Sequence, residues 1–239
     1  FVIDDYIKKH DCDVLLNILL KNKLLYDTLL SNSSIILHGK EYVILNKDYL
    51  NDFEINNNNL KTINIFMGGS DKTNETIKVI NKCNELNKKM NFDIKYDVII
   101  GCGNKNKTDI IKLCNKLENF NYYFNVKKVK NIFLKSELSI GLAGNTIFEK
   151  CILQIPNLLI CTDKTQRSLL DEYINSGACI YMGNINESSY LDNIEKNIIY
   201  YHNNPSELKK CKKKCYKLFN KTDLNIFNKN INLIFNEKY

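Results

Sequence analysis

Between residues 61 and 204 short apolar runs alternate with longer segments whose apolar residues recur at helical spacing, and no other feature constrains the fold as tightly. The runs are INIFM (63–67), KYDVIIGCG (95–103), YYFNV (122–126), LSIGLAG (138–144), NLLIC (157–161) and ACIYM (178–182). Strands this continuously apolar are buried on both faces, the condition of a parallel sheet covered by helices. The intervening segments supply the helices. Residues 73–90 place Ile77, Ile80, Cys83, Leu86 and Met90 roughly on one face, and residues 107–118 do the same with Ile110, Ile111, Cys114 and Leu117. Further helices are predicted over 145–153, 166–176 and 187–201. The pattern predicts an α/β domain whose parallel sheet carries helices on both faces.

The flanks differ. Residues 1–60 read as strand, helix, strand, with apolar runs at FVIDD (1–5), CDVLLN (12–17) and SSIILHG (33–39). EINNNNLK (54–61) is polar and aperiodic, which marks a linker. From Pro205 the chain reads as wholly helical, with Pro suited to a first helical turn. The expected divisions are therefore 1–60, 61–204 and 205–239.

Composition adds less. The chain has 37 Asn, two Pro, no Trp, and a single Arg, Arg167, among 34 basic residues, a pattern that AT-rich coding produces whatever the function. The net charge of +7 favours an anionic ligand such as a nucleotide diphosphate. It does not favour nucleic acid, where Arg and clustered aromatics are expected. No apolar run approaches the roughly 18 residues of a membrane span, and nothing at the start resembles a signal peptide. No membrane partner and a cytoplasmic location are the expectations. Nine scattered Cys, without a C-x-x-C, read as reduced thiols. Cys211 and Cys215 lie a helical turn apart, but zinc needs two more ligands that the sequence does not offer, so no metal and no cofactor are expected. Six Lys between 209 and 217 read as a solvated helix face, and His10, His38 and His202 as structural residues.

Three turns at strand ends carry the candidate chemistry. In Met67-Gly68-Gly69-Ser70-Asp71 the glycine pair lets a ligand approach the backbone N–H groups, and the following helix N-terminus favours an anion. A tight strand-to-helix turn needs the same glycines. The loop matches neither the dinucleotide fingerprint nor a P-loop. In Gly141-Leu142-Ala143-Gly144-Asn145-Thr146, a phosphate fits on the N–H groups of Asn145 and Thr146, and Glu149, a turn later, can accept both ribose hydroxyls. Helix capping by Asn145 or Thr146, with Glu149 complementing the dipole, is the alternative. Thr165 and Gln166, after the next strand, suit a sugar or a phosphate, or a plain helix cap. In a doubly wound sheet all three turns share the carboxyl edge, where ligands bind.

MGGSDKTN (67–74) with Thr76 resembles the M-G-G-S-D-x-x-N-x-T motif of the nucleotide-sugar hydrolase family of pseudaminic acid biosynthesis, whose substrate is UDP-2,4-diacetamido-2,4,6-trideoxy-β-L-altropyranose. IDDY (3–6), HDCDVLLN (10–17), Tyr26, LHGKEYVILNKDYL (37–50) and SELSIGLAGNTIFEKCILQIPNLLI (136–160) resemble further stretches of that family, in the same order. The resemblance implies a glycosyltransferase-B-like fold, with a Rossmann-like nucleotide-binding domain over 61–204 and an incomplete N-terminal α/β domain before it. It implies a UDP-sugar as partner, with Gly68, Gly69, Ser70, Gly144, Asn145, Thr146 and Glu149 on the nucleotide and Asp71, Thr165 and Gln166 on the sugar. The implied reaction is hydrolysis at the anomeric carbon with inversion. A sugar transferase of the same fold, or a non-catalytic nucleotide-sugar-binding relic, would share these features. The family's general base, a His in a Gly-rich first loop, precedes the stretch matched here. A start at Phe1 is therefore expected to lie downstream of it, with UDP bound but turnover slow or absent. Three positions depart from the family pattern: Lys40 stands for its Pro, Asn46 for its Arg and Thr165 for its Asn, the last at the sugar site.

Overall fold

The structure is a computed structural model that describes residues 1–4, 7–18, 20, 22–31, 33–50, 59–162, 167 and 170–218, with the backbone alone at 41, 47 and 50. These residues divide into two compact units, one within Phe1–Leu50 and one within Asn51–Leu218.

In the first unit β1 (Val2–Ile3), β2 (Val14–Asn17) and β3 (Ile35–His38) form a parallel sheet in that order. Leu15, Leu20 and Tyr26 make its core, and the Asn17 amide donates to the Tyr26 hydroxyl at 3.1 Å. The helix expected in this segment is not found among the described residues. Among the described residues there are only short 3-10 turns at Lys23–Tyr26, Lys40–Tyr42 and Lys47–Leu50. The cause is visible in the first of them. Tyr26 is buried while Leu24 and Leu25 are exposed, so no continuous apolar stripe exists for a helix to bury.

The second unit holds the predicted alternation. In chain order it comprises β4 (Thr62–Phe66), α1 (Glu75–Met90), β5 (Lys95–Ile100), α2 (Lys107–Cys114), β6 (Phe120–Phe124), α3 (Lys130–Phe133) and β7 (Leu138–Leu142). There follow α4 (Thr146–Ile152), β8 (Asn157–Cys161), α5 (Asp171–Asn175), β9 (Cys179–Asn184), α6 (Tyr190–Asn203) and α7 (Pro205–Leu218). The sheet order is β6-β5-β4-β7-β8-β9 and every pairing is parallel. This is the Rossmann-like order, in which strand succession reverses between β4 and β7. All six strands expected from apolar runs are present. The short α3, which no periodicity announced, is an addition.

The core explains why those runs are continuous. Ile63, Ile65, Val98, Ile100, Leu138, Ile140, Leu158 and Ile160 all belong to one buried cluster. Burying each contributes roughly 1.5–3 kcal/mol. Polar contacts then fix the register. Ser139 Oγ donates to Asn64 Oδ1 at 2.6 Å inside the sheet, between residues that are register partners of β4 and β7. Glu137 Oε2 accepts the amides of Lys61 and Thr62 at 3.1 and 2.8 Å, tying the start of β7 to that of β4, and burial raises its pKa.

All nine cysteines are free; Cys102 is exposed and Cys12 half-buried, while the others are buried. Cys211 and Cys215 donate to the carbonyls of Gly177 and Ala178 at 3.0 and 3.5 Å, so this pair fastens α7 to the segment that leads into β9.

Two loop contacts set the sheet's carboxyl edge. Asp71, with φ +40°, turns its carboxylate onto α1, where Oδ1 accepts Glu75 N at 2.8 Å and Oδ2 accepts Thr76 N at 3.0 Å. Gly101, after β5, lies so close to Gly69 that a Cβ would overlap the Gly69 carbonyl, and the Gly103 amide donates to that same carbonyl at 3.0 Å. Asp71→Ala should lower unfolding stability by about 1–2 kcal/mol, the value of a helix cap. Gly101→Ala should cost at least about 1–3 kcal/mol by overpacking two backbones. Gly144→Ala, with nothing within 4 Å of the added carbon, should cost less than either. Urea denaturation of the three variants measures these differences.

Candidate functional site

Phe66 and Gly141 are register partners near the ends of β4 and β7. The two loops that follow, 67–71 and 143–146, therefore leave the sheet side by side at the point where strand order reverses. Gly141 makes this closeness possible, since a Cβ there would lie 2.6 Å from the Phe66 carbonyl oxygen.

In the first loop Gly68 has φ +79°, a conformation that glycine adopts without strain. Gly69 is different. Its φ is not left-handed and a Cβ would meet nothing within 4 Å, so neither conformation nor internal packing demands a glycine there. Gly144 is in the same position. Gly69, Ser70, Gly144 and Asn145 are all exposed, and Thr146 and Glu149 are half-buried. The structure thus gathers Gly68, Gly69, Ser70, Gly144, Asn145, Thr146 and Glu149 at one sheet edge.

The two helix starts at this edge are not equivalent. The first amides of α1 are taken by Asp71. Asp71, read from the motif as a sugar-facing residue, is 3% exposed and has both oxygens engaged by the chain itself. At α4 the capping position is Asn145, and its side chain makes no capping bond. An incoming anion therefore meets satisfied amides at α1 and side-chain-uncapped ones at α4. Glu75, in the first turn of α1, is fully buried; it accepts the Tyr190 hydroxyl and pairs with Lys78 Nζ at 2.8 Å. Thr165 and Gln166 lie outside the described residues.

One charged residue at this edge escaped the sequence reading. Lys150 follows Glu149 on α4, is 2% exposed, and holds Nζ 5.3 Å from the centre of the Phe133 ring. Burial lowers its pKa to about 8, against the raising effect of the Glu149 charge. The signal available was position: Lys150 falls among Ile147, Phe148, Cys151 and Ile152, all buried. Among the described residues no three His, Cys, Asp or Glu come together in a way that could hold a metal ion, and no helix is long and apolar enough to cross a membrane.

Comparison with known proteins places this architecture. An uncharacterized protein of Methanocaldococcus jannaschii, MJ1062, is 27% identical over 181 residues, covering 72% of this chain and 36% of that protein. The glycosyltransferase WaaG, involved in lipopolysaccharide biosynthesis, superposes with a TM-score of 0.63 at 12% identity, over 92% of this chain and 62% of WaaG. The UDP-GlcNAc 2-epimerase of Neisseria meningitidis, solved with UDP-GlcNAc bound, gives a TM-score of 0.52 at 19% identity, over 80% of this chain and 46% of the epimerase. The chain spans about a third of the length of MJ1062 and less than two thirds of either solved structure. At these identities the solved structures carry the fold, which is glycosyltransferase-B-like. The model of the glycosyltransferase family 28 C-terminal domain matches residues 63–225, more than half of the chain and almost the whole of the second unit. The chain belongs to that family.

Proposed function

We propose that the second unit binds a UDP-linked sugar at the β4–β7 edge, and that the protein cleaves it at the anomeric carbon, releasing UDP and free sugar with inversion. The observation that carries the reading is the juxtaposition of two glycine-containing turns at the strand-order reversal, one of them opening a helix whose N-cap side chain makes no capping bond. Ligands of doubly wound sheets sit at that place. On this reading the amides of Asn145 and Thr146 receive the diphosphate, Glu149 accepts the ribose hydroxyls, and Gly68, Gly69 and Ser70 offer open backbone to the other side of the nucleotide. Thr165 and Gln166, outside the described residues, are assigned to the sugar. Their assignment, like the hydrolytic outcome, rests on the resemblance of the motifs.

The chemistry asks little of the protein on the leaving-group side. Negative charge grows on the departing diphosphate as the glycosidic bond breaks, and fixed N–H dipoles aimed at it lower the barrier. Attack by water needs a base, which we assign to no residue of this chain. Transfer of the sugar to an acceptor uses the same leaving-group machinery. The family's name, a glycosyltransferase domain, is compatible with that second reading and does not by itself decide between the two. Analysis of the sugar product separates the two: free sugar for hydrolysis, a glycoside for transfer.

Glu149→Gln keeps the shape of the side chain and turns one acceptor oxygen into a donor. It should weaken UDP binding by roughly 1–3 kcal/mol, the range for a hydrogen bond to a charged group, with little change in unfolding stability. Calorimetry of both proteins with UDP checks this. Equal affinities would make Glu149 a helix residue only and remove it from the site.

A further inference from the structure

Lys150 is placed unlike the many surface lysines of this chain. Long side chains on a helix lean back toward its N-terminus. This one carries its ammonium to the carboxyl edge of the sheet, where a Cβ on Gly141 would lie 3.1 Å from Nζ and 2.6 Å from the Phe66 carbonyl oxygen. The Phe133 ring contributes an aromatic face to the same pocket. Among the described residues no hydrogen bond or ion pair reaches the ammonium. The titratable groups that face it are Glu149 and Cys151 on its own helix and Cys179 on β9; α3, β4 and β7 offer the Phe133 ring and backbone. Burying a cation without a paired anion is costly. A ring face offsets part of that cost.

We propose that Lys150 supplies the buried positive charge that holds a phosphate of the nucleotide diphosphate at the β4–β7 edge, beneath the turn Gly144–Thr146. This rests on the nucleotide reading of the site and adds to it the residue that recognises phosphate as charge. The turn itself offers only amide dipoles. A full charge in a poorly solvated place acts on an anion far more strongly than the same charge in water. Gly141 fits this role, since any side chain there would crowd the ammonium. Because burial brings its pKa to about 8, the group is charged at neutral pH and discharges just above it. Phosphate affinity conferred by Lys150 is therefore fully present below about pH 8 and is lost as pH rises through it.

The test is calorimetry of the full chain with UDP and with uridine, from pH 7 to pH 9, on the parent and on Lys150→Met. Uridine carries the same base and ribose, so its own titration cancels in the comparison. The expected result has three parts. The parent loses UDP affinity over this range relative to uridine. Lys150→Met binds UDP about tenfold more weakly at pH 7, as loss of a charge-assisted contact requires. It binds uridine as the parent does, and its UDP profile relative to uridine is flat. If the parent binds UDP and Lys150→Met matches it in affinity and pH profile, the role of Lys150 is overturned and the nucleotide site stands. If the parent binds no UDP at all, the nucleotide reading falls, and this assignment with it. If Lys150→Met does not fold, the parent decides alone: a UDP affinity that stays level with uridine from pH 7 to pH 9 overturns the proposal.

Discussion

The parallel pairing of β4 with β7 is the contact on which the second unit depends. The two strands are not consecutive. β5 and β6 build outward from one side of β4, and β8 and β9 from the far side of β7, so this pairing joins two halves of a sheet. It is held by more than apolar burial. Asn64 and Ser139 share a hydrogen bond inside the core, and Glu137 grips the amides at the start of β4. A slip of one residue would strand these polar groups in an apolar interior, at a cost of about 1–3 kcal/mol for each one left unpaired. It would also move Gly141 away from the Phe66 carbonyl. The register that satisfies the core is thus the register that sets the two loops next to each other. Segments some 75 residues apart in sequence become one edge by this route, as the Asn64–Ser139 separation measures.

How much of this was legible follows from the kind of signal each part leaves. Strands buried on both faces must be apolar throughout, so β4, β5, β7 and β8 announced themselves. α1 and α6 are long enough for helical periodicity to repeat several times. α3 spans only Lys130–Phe133, about one turn, and a period cannot be read from a single cycle. The first unit misled for the opposite reason. A helix was expected between its strands, but Leu24 and Leu25 are exposed on a 3-10 turn. The covalent neighbourhood of an apolar residue says that it is apolar, not that there is something for it to pack against.

Within the candidate site the glycine turns stand out in the sequence because they interrupt apolar strands, and Glu149 because it stands a turn beyond one of them; the structure places them at one sheet edge. Two assignments needed coordinates. Asp71 sits in the motif as an acid beside a ligand loop, and only the geometry reveals that both of its oxygens cap α1. Lys150 was hidden by composition. In a chain with 34 basic residues, of which only Arg167 is not Lys, one more lysine carries no information until its burial is known.

The same two residues show how charge is distributed along this edge. Asp71 is a carboxylate next to a proposed anion site, which by itself would repel the ligand. Its charge is turned onto the positive end of α1 and absorbed there. Glu75 is absorbed likewise by Lys78 and the Tyr190 hydroxyl. The negative charges nearest the first loop are therefore compensated within the chain. Lys150 is not compensated in that way, and its ammonium lies beside Gly141, the register partner of Phe66 near the ends of the two strands that lead into the loops. Compensating Asp71 and Glu75 locally leaves Glu149 and the buried ammonium of Lys150 as the charges beside the second loop, and the buried one lies where solvent weakens it least. A field built this way is weakly screened by salt, because its source is buried rather than exposed. On the proposed reading it would also select by depth: a ligand would have to bring its anionic group down to the turn to feel it, which a phosphate on the amides of α4 would do and a uridine would not.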